Sequence, residues 1–92
     1  MSEYIEIETE ESDDGRRIFV YTNLRLAEGN SEDYDSRDSM EEGSPVAQAL
    51  ALIDGITHLR IDGSDLTLTR EPEAEWYLIV EDVSAVLKDF FL

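Results

Sequence analysis

The chain of 92 residues contains no cysteine. Disulfides, thiolate metal centres, cysteine-held iron–sulfur clusters and cysteine nucleophiles are excluded together. Histidine occurs once: His58 has no second His or Cys with which to share a metal. Lysine also occurs once, as Lys88, and Lys plus Arg number 7 against 23 Asp plus Glu, a formal charge of −16. Nucleic-acid binding depends on basic side chains that neutralise phosphates, so this balance excludes it, and it disfavours anionic membrane surfaces likewise. No apolar run approaches the about 20 residues a membrane-spanning helix needs. The opening MSEYIEIETE lacks the basic and apolar regions of a secretion signal. The expected location is cytoplasmic. No G-x-S-x-G, phosphate-binding glycine loop or H-E-x-x-H is present, and no carboxylate sits in an apolar stretch that would raise its pKa. The expectation is a protein that is not an enzyme and carries no cofactor and no metal.

What remains is enough for one core. Hydrophobic residues make up 41%, with one Trp, three Phe and four Tyr, which suits a single domain over residues 1–92 with no second core. The acidity has three readings: a solvated surface that favours solubility, adaptation to high salt, or a surface that recruits a basic partner.

Period-two alternation predicts a strand over Tyr4–Glu8, with Ile5 and Ile7 inward, and a turn at Glu10–Gly15. Arg17–Leu26, rich in β-branched and aromatic residues, predicts the partner strand, with Ile18, Val20, Leu24 and Leu26 on one face. From residue 27 to residue 43 periodicity vanishes into a small, polar, acidic stretch, which predicts a mobile loop. Ser44 as N-cap and Pro45 at the first helical position open a helix with Val46, Ala49, Leu50 and Ile53 on one stripe, stopped by Gly55. Ile56–Ile61 and Leu66–Thr69 predict a second hairpin around Asp62–Asp65. A last helix from Glu73 or Ala74 carries Trp76, Ile79, Val80, Val83, Val86, Leu87 and Phe90 at helical spacing. The expected fold is α+β: a ββαββα two-layer sandwich, mainly antiparallel, with two helices on one sheet face.

That topology leaves the other sheet face uncovered. Phe19, Tyr21, His58, Arg60, Thr67 and Thr69, with Tyr4, would point there, and grouped exposed aromatics mark protein interfaces. These residues are the candidate partner-binding set, on an expected monomer. The acidic stretch around Asp33–Asp38 invites a calcium reading, but counting from Asp33 places Arg37, Asp38 and Ser44 at the fifth, sixth and twelfth loop positions, where an EF-hand needs an oxygen ligand, Gly and Glu. An acidic-loop metal-binding protein is one alternative; an acidic decoy that binds a basic protein is the other.

Ser44-Pro45-Val46-Ala47, Leu50, Ile53-Asp54-Gly55-Ile56, Gly63 through Thr69 and Trp76 follow one another in a recognisable order. The pattern resembles the N-terminal domain of Nfu-type (NifU-like) iron–sulfur scaffold proteins: S-P-L-A, a helix, an I-x-G-V stop, a strand, a G-x-D-F/L-x-T-V-T return and a Trp-led helix. It covers about Ser44–Phe90. The first hairpin lacks the family's T-P-N-P-like turn and the last helix lacks its Lys-Pro after the Trp. In that family a C-x-x-C motif in a separate C-terminal domain holds the cluster. The resemblance thus implies a standalone accessory module without that domain, contacting iron–sulfur assembly or client proteins.

Overall fold

Two β-hairpins meet edge to edge, and all the helices pack on the same side of them. The computed structural model describes residues 6–26 and 31–91. Within them the chain runs β1 (Ile7–Glu11), β2 (Arg17–Thr22), β3 (Glu32–Tyr34), α1 (Arg37–Glu41), α2 (Pro45–Leu50), β4 (Ile56–Asp62), β5 (Asp65–Arg70) and α3 (Trp76–Phe91). The sheet has five antiparallel strands in the order β1-β2-β5-β4-β3. The α+β class and the one-sided helical layer are as the periodicity predicts.

The first hairpin lies further along the chain than expected. Glu10 and Glu11 stay in β1, opposite Phe19 and Ile18, because ladder pairing outweighs the low strand propensity of glutamate. Ser12 then closes the turn: its N–H donates to Arg17 O (2.9 Å), and its own O accepts from Gly15 N–H (3.0 Å). Tyr4 and Ile5, placed in this strand by the alternation, lie outside the described residues. β2 also stops short, at Thr22. The tip of the second hairpin draws the chain out of the ladder there: Ser64 O accepts from Thr22 N–H and Oγ1–H, and Gly63 O accepts from Leu26 N–H. Leu26 remains buried.

Ile18, Val20, Leu59, Ile61, Leu66 and Leu68 line the inner face and pack against Met40, Val46, Ala47, Leu50, Trp76, Ile79, Val83 and Leu87. A bulge at Thr57 between the Ile56–Arg70 and His58–Thr69 pairs shifts the alternation by one residue. Ile56 therefore faces the core although it shares parity with the outward His58 and Arg60. The helical spacing of α3 holds for Trp76, Ile79, Val83 and Leu87, but the last turn differs from expectation. Phe91 packs against the core and Phe90 is 45% exposed. The helix begins at Trp76, so Glu73 and Glu75 precede it rather than fill its first turn.

The stretch expected as a mobile loop over residues 27–43 is corrected by the structure. Residues 27–30 lie outside the described set, but residues 31–43 hold β3 and α1. Only two side chains in that stretch, Tyr34 and Met40, are apolar, too few to create a periodicity. They suffice physically. Met40 is buried, Tyr34 packs against the core, and Ser36 and Ser39 cap α1 reciprocally through Ser39 N–H to Ser36 Oγ (3.1 Å) and Ser36 N–H to Ser39 Oγ (3.2 Å). Arg37 Nη2 then donates to Ile53 O (3.0 Å) beyond the end of α2.

Gly55 is required by both backbone and space. Its φ of 93° is left-handed, and an added Cβ would lie 2.8 Å from the Ala74 Cβ. Its carbonyl accepts from Glu71 N–H at 2.7 Å, so the turn and the approach to α3 are tied together. Gly55→Ala is expected to lower unfolding stability by about 1–3 kcal/mol, read as a fall in the denaturant midpoint. An unchanged midpoint would show that the turn adapts.

Candidate functional site

The side of the sheet away from the helices is built by alternation. With Ile18 and Val20 inward, Arg17, Phe19 and Tyr21 point outward, and the bulge at Thr57 keeps His58 and Arg60 outward on β4. Strand pairing then aligns the rows. One row reads Glu10, Phe19, Thr67, Arg60, Asp33 from β1 to β3. The next reads Arg17, Thr69, His58, and on the other side Glu8, Tyr21, Asp65, Asp62.

All six residues singled out from the sequence therefore share this face. Phe19, Thr67 and Arg60 occupy neighbouring strands in one row, with Phe19 and Arg60 roughly 10 Å apart across two strand spacings. Thr69 and His58 flank them, and Tyr21 stands at the opposite end. Tyr21 is 40% exposed and donates its hydroxyl to Glu10 Oε1 at 3.4 Å. Partial desolvation, followed by the Glu10 carboxylate, pushes the phenol above its ordinary pKa, so it remains a neutral donor at pH 7. Thr57 Oγ1 and His58 Nδ1 lie 3.1 Å apart, which holds the imidazole beside the bulge.

Two neighbours escaped the sequence reading. Arg17 follows from the same alternation that places Phe19, so the signal was present in its parity. Asp33 carries no such signal. It arrives only because β3 pairs with β4, which sets its carboxylate 3.7 Å from Arg60.

The face offers contact surface rather than reactive groups. Among the described residues no polar or charged side chain is fully buried, and no three His, Asp or Glu side chains gather as metal ligands. Five strands of three to seven residues, at about 3.3 Å per residue and about 4.8 Å apart, present roughly 400 Å² in projection, half of what one partner contributes to a standard interface. This size suits a transient complex.

The family model described as "Scaffold protein Nfu/NifU N terminal" matches residues 5–92. This chain belongs to that family. The Nfu N-terminal assignment therefore extends past the central Ser44–Phe90 resemblance into the first hairpin and the acidic segment. Among curated relatives, the chain is 36% identical over 66 residues to the mitochondrial NFU1 iron–sulfur cluster scaffold homologue of Drosophila ananassae, covering 72% of this chain and 23% of the relative. The homologue of Drosophila virilis is also 36% identical over 66 residues. The chain spans about a quarter of the length of these relatives.

Solved structures share this fold. The NifU-like protein of Saccharomyces cerevisiae superposes with a TM-score of 0.75 at 19% identity, covering 92% of this chain and 76% of the yeast chain. Protein SAV1430 of Staphylococcus aureus gives 0.71 at 15% identity, covering 88% and 96%. No helix of the described residues is long and apolar enough to cross a membrane.

Proposed function

We propose that this Nfu N-terminal domain is a non-catalytic, cytoplasmic accessory module that docks a protein partner of iron–sulfur assembly or delivery through its uncovered sheet face. The observation that carries the reading is the coincidence of Phe19, Tyr21, Arg60 and Thr67 on the one sheet face that no helix covers. Family membership supports the iron–sulfur setting, since the relatives are named as iron–sulfur cluster scaffold homologues. A chain without cysteine has no thiolate for a cluster. Its part in such a system would be recognition.

The Phe19→Ala/Tyr21→Ala double variant tests this reading. Each side chain contributes cross-strand packing worth roughly 0.2–1 kcal/mol, so the fold should survive. Capture of iron–sulfur assembly or client proteins by the immobilised domain should fall at least about tenfold, as aromatic anchors dominate small interfaces. Capture of no such protein, or capture indifferent to the double substitution, would sink the reading. Loss of amide dispersion in the variant would instead show that the two rings belong to the core.

A further inference from the structure

The acidity of the chain is not evenly spread, and its exception lies at one end of the uncovered sheet face. Two adjoining depressions of about 470 and 210 Å³ open there. Arg16, Arg70 and Thr57 bound the first, Arg17 and Arg60 bound the second, and His58 and Thr69 line both. Together they hold four of the chain's seven Lys and Arg residues and only two of its 23 Asp and Glu, Asp14 and Asp33. In a chain of net charge −16 a locally positive concavity requires particular placement.

We propose that this trough binds a short acidic segment of a partner protein, two or three carboxylates long. Both of its own carboxylates are already engaged. Asp14 accepts from the Ser12 hydroxyl at 2.7 Å and from Arg16 N–H at 3.1 Å, while Asp33 pairs with Arg60 at 3.7 Å. The Ser12 hydroxyl and the Arg16 N–H also hold the Asp14 carboxyl below its ordinary pKa, so it stays charged and in place. Arg16 and Arg17 form no ion pair within 4 Å among the described residues; they line the trough close enough to Asp14 to act on its charge, so that two arginines share one carboxylate there.

Arg70 is held in position. Its Nη1 donates to Ala74 O at 2.9 Å, and its guanidinium lies 5.1 Å from the centre of the Trp76 ring. A guanidinium fixed before binding loses little side-chain entropy when a carboxylate arrives, and its fork geometry suits that group. Thr57 and Thr69 line the trough with it, the Thr57 hydroxyl donating to Thr69 O at 3.3 Å. The rest of the molecule limits the length of the occupant. Charges interact only over a Debye length of about 8 Å at physiological salt, so two or three carboxylates feel the trough while a longer polyanion meets the acidic surface around it. The acidic ends of the rows, at Glu8, Asp62 and Asp65, set that boundary.

This inference rests on the docking reading only for the occupant being a protein. Its test needs no partner. Blocked triglutamate peptide, blocked trilysine peptide and inorganic phosphate are titrated separately into the full chain while backbone amide shifts are followed. Triglutamate should give saturable shifts at Arg16, Arg17, His58, Arg60 and Thr69. The affinity should weaken roughly five- to tenfold as salt rises from about 0.01 M to about 0.15 M. Arg16→Gln/Arg17→Gln should abolish these shifts and keep the amide dispersion, because the bonds that shape the turn use the backbone N–H groups of these residues. Absence of saturable shifts, shifts that survive the double substitution, or saturation by phosphate without saturation by triglutamate would each overturn it. The titration reads the trough with no partner present, whereas capture of partner proteins reads the docking face, so failure of the one and failure of the other are told apart.

Discussion

Met40→Ala should destabilise the domain by about 2–5 kcal/mol, the range for emptying a fully buried methionine site. Met40 is 1% exposed and is the sole buried side chain of α1. A domain of this size has roughly 5–14 kcal/mol in total, so the loss is a large fraction and lowers the melting temperature by about 10 °C or more. The neighbouring Glu41 is exposed, and Glu41→Ala should stay within about 0.5 kcal/mol. Equilibrium denaturation of the two variants is a direct comparison. Equal midpoints would mean that residues 37–41 contribute nothing to the core and that the acidic segment behaves as a loop.

The weight on one side chain follows from how this segment is built. Its charges have no internal reason to fold: residues 31–43 carry six acidic groups and one arginine. Order is supplied from outside, by β3 pairing with β4, by Arg37 reaching Ile53 O, and by Tyr34. The Tyr34 hydroxyl bonds Glu32 and accepts from Ser44 N–H at 3.2 Å, just where α2 begins. Gly43 leaves room for that ring, since a Cβ there would lie 2.5 Å from it. None of these partners is adjacent in sequence. A reading that looks for periodicity finds a loop, because two apolar residues six apart define no face.

Elsewhere the sequence was more open. The caps, stops and alternations of Ser44–Trp76 are local chemistry, and they place β4, β5 and the start of α2 correctly, although α2 ends at Leu50 rather than running on to Gly55 and α3 begins at Trp76 rather than at Glu73 or Ala74. The bulge at Thr57 is the exception there, since Ile56 reads as outward until the register is known. For the candidate face, parity alone brought Phe19, Tyr21, His58, Arg60, Thr67 and Thr69 to one side. Strand order was needed to reveal the rest. Once β2 lies beside β5 and β5 beside β4, Arg17 and Arg60 come within two strands of each other and Asp33 closes the row. The positive trough is therefore a property of topology, invisible in a composition dominated by acid.

Trp76→Ala should be as damaging as Met40→Ala, at about 3–5 kcal/mol, but for a different reason. Trp76 is 7% exposed, and its Nε1–H donates to Gly15 O at 2.9 Å across 61 residues of chain. It thereby clamps the turn of the first hairpin to the start of α3, and its ring supports the Arg70 guanidinium. Two contributions are mixed in that number: buried area and the indole hydrogen bond. Trp76→Phe separates them, because it keeps most of the ring contact and removes the donor, with an expected cost of about 1–2 kcal/mol. Far-ultraviolet circular dichroism during denaturation reads both variants without relying on tryptophan emission. If Trp76→Phe proves as costly as Trp76→Ala, the Gly15 bond rather than burial holds the two ends of the chain together. If Trp76→Phe is close to wild type, the hairpin is held by packing, and amide exchange at Gly15 and Arg16 should stay slow in the Phe variant and become fast in the Ala variant.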